Sequence, residues 1–264
     1  MLKALVTGGA GVVGKIVNPA FDTDVYDIKD EVYAPTGDDI WDTGRLVSRM
    51  EGKDLVVHLA SYPRMIEGIS EVEYIKLNFG GLMQVVFCMR EAGVKKILFS
   101  SSGAAYGIER GSRFSKDGMM YAEYLPIDED YPRSPDECLN MYGKTKLACE
   151  DYLLSLTDIK AHSFRLDGPR VVETGGILGP AHFWAHISGE NGIEFMQRLA
   201  EYEGPNDVFN IGDPTTNKFC PNTIEYAKEK YHPDTDIRLQ SPTEPLYSVK
   251  KAQRLLGYVG EPMI

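Results

Sequence analysis

The chain has 264 residues, 43% of them hydrophobic and 25% charged, enough for one large α/β domain with a small appendage and incompatible with a disordered or fibrous protein. A formal net charge of −11 makes the average surface repel phosphate backbones, and no basic stripe offsets it, so nucleic acid is not expected as a partner. No apolar run approaches the ~20 residues of a membrane-spanning helix, and MLKALVTGG enters a strand rather than a cleaved leader, so a soluble, cytoplasmic protein with no membrane partner is expected.

In chain order, short β-branched runs alternate with helical patterns. Strands are predicted at Lys3–Val6, Asp24–Asp27, weakly near Val32, at Leu55–Leu59, Ile97–Ser100 and Ala161–Arg165. Helices are predicted at Val12–Val17, Thr43–Met50, Val72–Ala92 and Tyr142–Leu156, with Gly93 as a C-terminal cap. This alternation specifies a parallel sheet covered by helices on both faces. After Leu166, segments rich in Gly and Pro (Asp167–Pro180, Gly212–Pro221, Ser241–Pro245) separate a strand at Asp207–Ile211 from short helices at Phe195–Glu203 and Ser248–Tyr258. Cys88, Cys138, Cys149 and Cys220 are scattered, with no CxxC pair and no histidine at zinc spacing, so no metal is expected and the thiols read as reduced.

Chemistry first shows at Leu5–Gly14, where an apolar strand runs into glycines three apart. Gly8 allows a tight turn, Gly11 lets backbone N–H groups approach a pyrophosphate past Val12 and Val13, and Gly14 permits close helix–strand packing. Asp27, followed by Ile28, lies 19 residues beyond Gly8, where a carboxylate either accepts both hydroxyls of an adenosine ribose or caps the following turn. The ribose role favours NAD over NADP, because the same carboxylate repels a 2′-phosphate. With 12 residues between Gly14 and Asp27, and Pro19 among them, the first crossover helix has to be short. The expected architecture is therefore a Rossmann-type, doubly wound parallel sheet over residues 1–165, interrupted by an inserted loop at 108–135. Residues 166–264 then form mainly a small substrate lobe, with segments returning to the core.

Tyr142 and Lys146 stand four apart on one helix face, so an ammonium can lie near a phenol and lower its pKa from ~10 toward the working pH, fitting it for general acid–base work. Alone, that pair is as well explained by a solvated helix face. Ser100–Ser102 follow a buried run, at the carboxyl end of a strand where ligands bind in open parallel sheets.

Taken together, these residues resemble the extended short-chain dehydrogenase/reductase family, in its NAD-dependent epimerase/dehydratase group. The resemblance runs from about Leu2 to Tyr258: TGxxGxxG at Thr7–Gly14, the acidic residue Asp27, an Asp-hydrophobic pair at Asp39–Ile40, HxA at His58–Ala60 followed by Ser61, a helix asparagine at Asn78, SSxxxYG at Ser101–Gly107 and YxxxK at Tyr142–Lys146. It implies that Gly8, Gly11, Val12, Val13, Gly14, Asp27, Ile28, Asp39, Ile40, Leu59, Ala60, Ser61, Asn78, Tyr142 and Lys146 bind NAD. It also implies that Tyr142 is the acid/base for a carbinol proton, that Lys146 holds the nicotinamide ribose and tunes the tyrosine, and that Ser102 orients the substrate oxygen.

Departures from the family pattern bear on substrate. Arg165–Arg170 lacks the asparagine of R-x-x-N-x-x-GP, which weakens a nucleotide-sugar reading, and Gly103–Ala104 replaces the Asp-Glu of dehydratases, which demotes dehydration. Arg64, Gly103 and Arg170 are candidate substrate contacts beside Ser102, with His182 and His186 further possibilities for an anionic group. The insertion, carrying Arg113, Met119, Met120, Tyr121 and Tyr124, reads either as a lid or as a dimer contact. The resemblance implies hydride transfer at a secondary alcohol of a sugar or nucleotide sugar, with epimerisation favoured and a homodimer expected. The alternatives are dehydrogenation of a free hexose, uronate or small polyol, and a non-catalytic NAD(H) sensor.

Overall fold

The computed structural model describes residues 1–28, 38–63, 66–107, 117–134, 136, 138, 140–166, 187, 189–215 and 222–261. The first strand, β1 (Lys3–Thr7), is buried along four of its five residues, as a strand covered on both faces must be. After the glycine turn, α1 (Gly14–Val17) makes a single turn and passes into a 3₁₀ turn at Asn18–Ala20 with Pro19 in its first positions, so the predicted helix from Val12 is shorter than expected. Pro19 has no N–H to extend an α-helical ladder. Next come β2 (Asp22–Tyr26), α2 (Thr43–Met50) and β3 (Leu55–His58). Parallel pairing of Lys3 with Asp22 through Thr7 with Tyr26 sets the ends of β2 earlier than the sequence suggested and leaves Asp27 just beyond it. The weak strand near Val32 falls outside the described residues.

The predicted Val72–Ala92 helix is one continuous rod in three parts. Helix α3 (Glu71–Tyr74) starts on a Ser70–Glu73 capping box, a π-helical stretch spans Ile75–Gly80, and α4 (Gly81–Ala92) ends on Gly93 at φ +80°. The chain continues through β4 (Lys96–Ser102), a 3₁₀ turn at Gly103–Tyr106, β5 (Tyr124–Leu125), α5 (Met141–Leu154), β6 (Lys160–Leu166), α6 (Gly189–Glu201), β7 (Asp207–Asn210), α7 (Thr223–Lys230), β8 (Asp236–Ile237) and α8 (Lys250–Leu256).

Among the described residues, six strands form a parallel sheet in the order β2-β1-β3-β4-β6-β7. One face packs Leu46, Met50, Val85, Met89 and Leu153 from α2, α4 and α5; the other packs Ile16, Phe195, Leu199 and Ala252 from α1, α6 and α8. Strand order reverses between β1 and β3, which opens a crevice at their carboxyl ends. The C-terminal third divides: α6, β7 and α8 complete this core, while 222–248 joins the described half of the insertion. There β5 pairs in parallel with β8, and Leu125, Ile127, Tyr131, Tyr231 and Tyr247 share an apolar cluster. Met120 bridges to Tyr231, and Tyr124 packs on Tyr131 and under the Arg238 guanidinium, so this part of the insertion is built into the lobe.

Candidate active site

The glycine turn lies in the crevice at the β1/β3 reversal. Gly8 adopts φ +72°, donates its N–H to Tyr26 O at 2.8 Å, and passes so close to β3 that a Cβ would stand 2.5 Å from Ala60 N. A Cβ on Gly14 would stand 1.9 Å from Gly9 O. Both positions therefore need glycine for steric reasons, and Leu59 and Ala60 become a wall of the same crevice. Val12 is exposed and Val13 half-buried at its rim.

Asp27 is buried, and its Oδ2 accepts the Ala10 N–H at 3.0 Å, pulling the turn onto the end of β2; Ile28 beside it is 70% exposed. Asp39 turns its Oδ1 to the Trp41 N–H at 3.0 Å and its carbonyl to the Tyr26 hydroxyl at 2.8 Å. Ile40 is buried against the helix rod, where a Cβ on Gly81 would lie 2.7 Å from its Cδ1.

The second group of residues meets at the end of β4. Ser102 Oγ accepts the Ala104 N–H at 3.1 Å and caps the 3₁₀ turn opened by Gly103. Helix α5 lies directly on that turn: a Cβ on Gly143 would come within 2.6 Å of Ala104 O, so the glycine after Tyr142 lets the helix seat beside Ser102. Lys146 is buried; its Nζ donates to Ser100 O at 2.7 Å and Ser61 Oγ at 3.2 Å and stands 5.8 Å from the centre of the Tyr142 ring. Burial pushes its ammonium down to about 8, with Cys149 and Glu150 pulling the other way. His58, buried below, hydrogen-bonds Thr7 Oγ1 at 2.6 Å, and burial followed by the Lys146 charge pushes its pKa down to about 3, so it stays neutral.

Asn78 sits within the π-helical stretch, where its Oδ1 accepts the Tyr62 N–H at 2.8 Å and its Nδ2 donates to Thr145 Oγ1 at 3.2 Å. It thereby ties the loop after β3, which carries Ser61, to α5. Gly8, Gly11, Asp27, Leu59, Ala60 and Ser61 line one end of the sheet with Ser102, Tyr142 and Lys146. Arg64, Arg113, Arg170, His182 and His186 lie outside the described residues.

Sequence reasoning passed over Glu150, which stands four residues after Lys146 and eight after Tyr142 on the same helix face. Its buried carboxylate receives Ser101 Oγ at 2.5 Å, Arg165 Nε at 2.8 Å, Arg165 Nη2 at 2.7 Å and Arg133 Nη1 at 3.1 Å. The repeated spacing of four, Tyr-Lys-Glu, was the available signal.

The profile of the NAD dependent epimerase/dehydratase family matches residues 4–166, more than half of the chain. The chain belongs to that family. Among curated relatives, the UDP-glucose 4-epimerase of Lactobacillus helveticus is 33% identical over 201 residues, covering 69% of this chain and 56% of the relative. The mouse UDP-glucose 4-epimerase is 29% identical over 192 residues, covering 59% and 49% respectively. The chain thus spans about half the length of these curated relatives. Among solved structures, UDP-glucose 4-epimerase from Brucella ovis in complex with NAD superposes with a TM-score of 0.70 at 20% identity, covering 100% of this chain and 95% of that one. Glucuronic acid dehydrogenase from Chromohalobacter salexigens gives 0.63 at 20% identity, with 100% and 86% covered. As an epimerase/dehydratase family member, the chain has a cradle that suits a dinucleotide. Gly8 and Gly14 leave no room for side chains of their own, and Asp27 is held at the edge of the turn. The family resemblance drawn from the sequence is borne out.

Proposed function

We propose that this chain is an NAD-dependent oxidoreductase acting at a secondary alcohol of a sugar or nucleotide sugar, with epimerisation as its outcome. The observation that carries the reading is the placement of Ser102, Tyr142 and Lys146 at the carboxyl end of the sheet beside the Gly8–Ala60 crevice. The residues for NAD are Gly8, Gly11, Val12, Val13 and Gly14 along the pyrophosphate, Asp27 and Ile28 at the adenosine ribose, and Asp39 and Ile40 toward the adenine. Leu59, Ala60, Ser61 and Asn78 complete the set. NAD, when bound, supplies the hydride acceptor and donor.

Tyr142 takes the proton from the substrate hydroxyl and later returns it. The Lys146 cation near its ring favours the phenolate, and the Ser102 hydroxyl orients the substrate oxygen. Removing or adding the carbinol proton at the phenolic oxygen balances the hydride leaving or reaching the same carbon. The lobe formed by 117–131 and 222–248 is the substrate side of the proposal, facing the sheet domain.

A second reading, oxidation of a free hexose or uronate, is favoured by the shortened Arg165–Arg170 segment with no asparagine. One experiment separates the two. Purified protein is incubated with NAD and a panel of free, UDP-, GDP- and dTDP-linked sugars; isomer formation without net reduction supports epimerisation, and NADH accumulating in solution supports dehydrogenation. Absence of both across the panel sinks the enzymatic proposal.

The same proposal includes a homodimer and a cytoplasmic location. Val72, Ile75, Met83 and Phe87 along the helix rod, with Leu154 of α5, form an exposed apolar strip suited to a second copy. Among the described residues, Cys88, Cys138 and Cys149 form no disulfide, in keeping with a reducing compartment. Among the described residues, no helix is long and apolar enough to cross a membrane.

A further inference from the structure

Behind the candidate catalytic residues lies a buried polar cluster that the acid–base reading leaves unused. Glu150 is fully buried on α5, and its four hydrogen bonds reach three separate parts of the chain: Ser101 on β4, Arg165 on β6, and Arg133 in the segment before α5. Ser101 is the immediate neighbour of Ser102. The Arg165 guanidinium lies 4.1 Å from the centre of the Tyr106 ring, and the Tyr106 hydroxyl donates to Asn210 Oδ1 at 2.8 Å, which carries the linkage to β7. A buried carboxylate is costly unless fully partnered, and here each oxygen has two donors. Burial disfavours the charge, yet Arg165, Ser101 and Arg133 hold the Glu150 pKa below the usual carboxylate range. Glu150 therefore stays ionised one helical turn from Lys146.

We propose that Glu150 is a positioning residue that keeps Lys146 charged and seats α5 on the end of β4, so that Tyr142 and Ser102 face the same point. This rests on the acid–base reading of Tyr142 and Lys146. The other groups packed on Lys146 favour its ammonium only as neutral partners: Ser100 O and Ser61 Oγ accept from it, the Phe99 ring on β4 lies 4.8 Å away, and the Cys149 thiol on its own helix is pushed up by burial, while His58 on β3 is neutral. Glu150 adds a full negative charge. Arg165 and Arg133 both bring positive charge to the Glu150 carboxylate and so offset part of its charge.

The test is the titration of Lys146, read by NMR of protein labelled with ¹³C at lysine Cε and assigned by the loss of one resonance in Lys146→Met. Glu150→Gln is expected to lower the midpoint by about one pH unit, the effect of losing an opposite charge at short range. Arg133→Gln removes a half-buried cation while Ser101 and Arg165 still donate to both Glu150 oxygens, and is expected to raise the midpoint by roughly half a unit. It decides the matter if Glu150→Gln does not fold. A Lys146 midpoint that stays put in Arg133→Gln, or in a folded Glu150→Gln, overturns the proposal, because a purely structural Glu150 predicts no opposed shifts. Tyr142→Phe separates this outcome from failure of the parent reading: retained turnover in that variant defeats the acid–base role of the tyrosine, whatever Lys146 does.

Discussion

The two ends of the crevice are built by different physics. At the glycine turn, the chain's own backbone makes the surface: Gly8 and Gly14 are held within 2.5 and 1.9 Å, as measured from a hypothetical Cβ, of Ala60 N and Gly9 O. At the other end, charged and hydroxyl side chains from α5, β4 and β6 make it, through Lys146 on Ser100 and Ser61 and through Glu150 on Ser101 and Arg165. A steric cradle fails when atoms are added. A buried polar cluster fails when they are taken away, since each removal strands a partner.

The largest effect expected is on the polar side. Tyr142→Phe lowers turnover by about 10²- to 10⁴-fold, the range for losing a general acid–base group, while leaving NAD binding intact in a fluorescence titration. On the steric side, Gly8→Ala destabilises the fold by about 3 kcal/mol through its left-handed backbone and the Ala60 clash, and abolishes NAD binding in the same titration; wild-type melting and binding would erase the contrast. Asp27→Ala bridges the two, because it removes a carboxylate and frees the turn. A loss of about 1 to 3 kcal/mol in NAD affinity and a narrowed preference over NADP are expected from isothermal calorimetry, and unchanged selectivity tells against Asp27 as the ribose ligand.

The smallest effect is a pH dependence. Burial lowers Lys146 from 10.5 to about 8, so between those values the unfolded chain holds a proton that the folded chain has released. The stability contribution of this group accordingly rises with pH across that window, as urea unfolding at pH 7.5 and 9.5 would record. Turnover moves the other way: the alkaline limb of the rate profile falls from about pH 8 upward as the cation beside Tyr142 is lost.

Several elements were legible because their signals are local. Thr43–Met50 matches α2 residue for residue, β1 and β3 differ from expectation by a single residue at one end, and Gly93 caps its helix as its lack of a Cβ suggests. Others were not. The helix expected at Phe195–Glu203 instead runs from Gly189 to Glu201 as α6. A Cβ on Gly192 would stand 2.3 Å from Ile16 Cγ2, so the residue that weakens the helix locally is what lets it dock on α1. Within the π-helical stretch, Asn78 likewise bonds Tyr62 and Thr145, partners distant in sequence that local spacing does not reveal.

The amino-acid sequence by itself determined the order of strands and helices, the glycine turn, and the spacing that puts Tyr142, Lys146 and Glu150 on one helical face, because each depends on neighbours within a few residues. Tertiary structure decided the rest. Whether Glu150 meets Ser101 and Arg165, whether Gly8 touches Ala60, and how far Lys146 loses its water depend on the register of parallel strands and on which helix covers them. Hydrogen bonds and desolvation act between atoms brought together across 15 to 85 residues of chain, and residue spacing carries no record of that meeting.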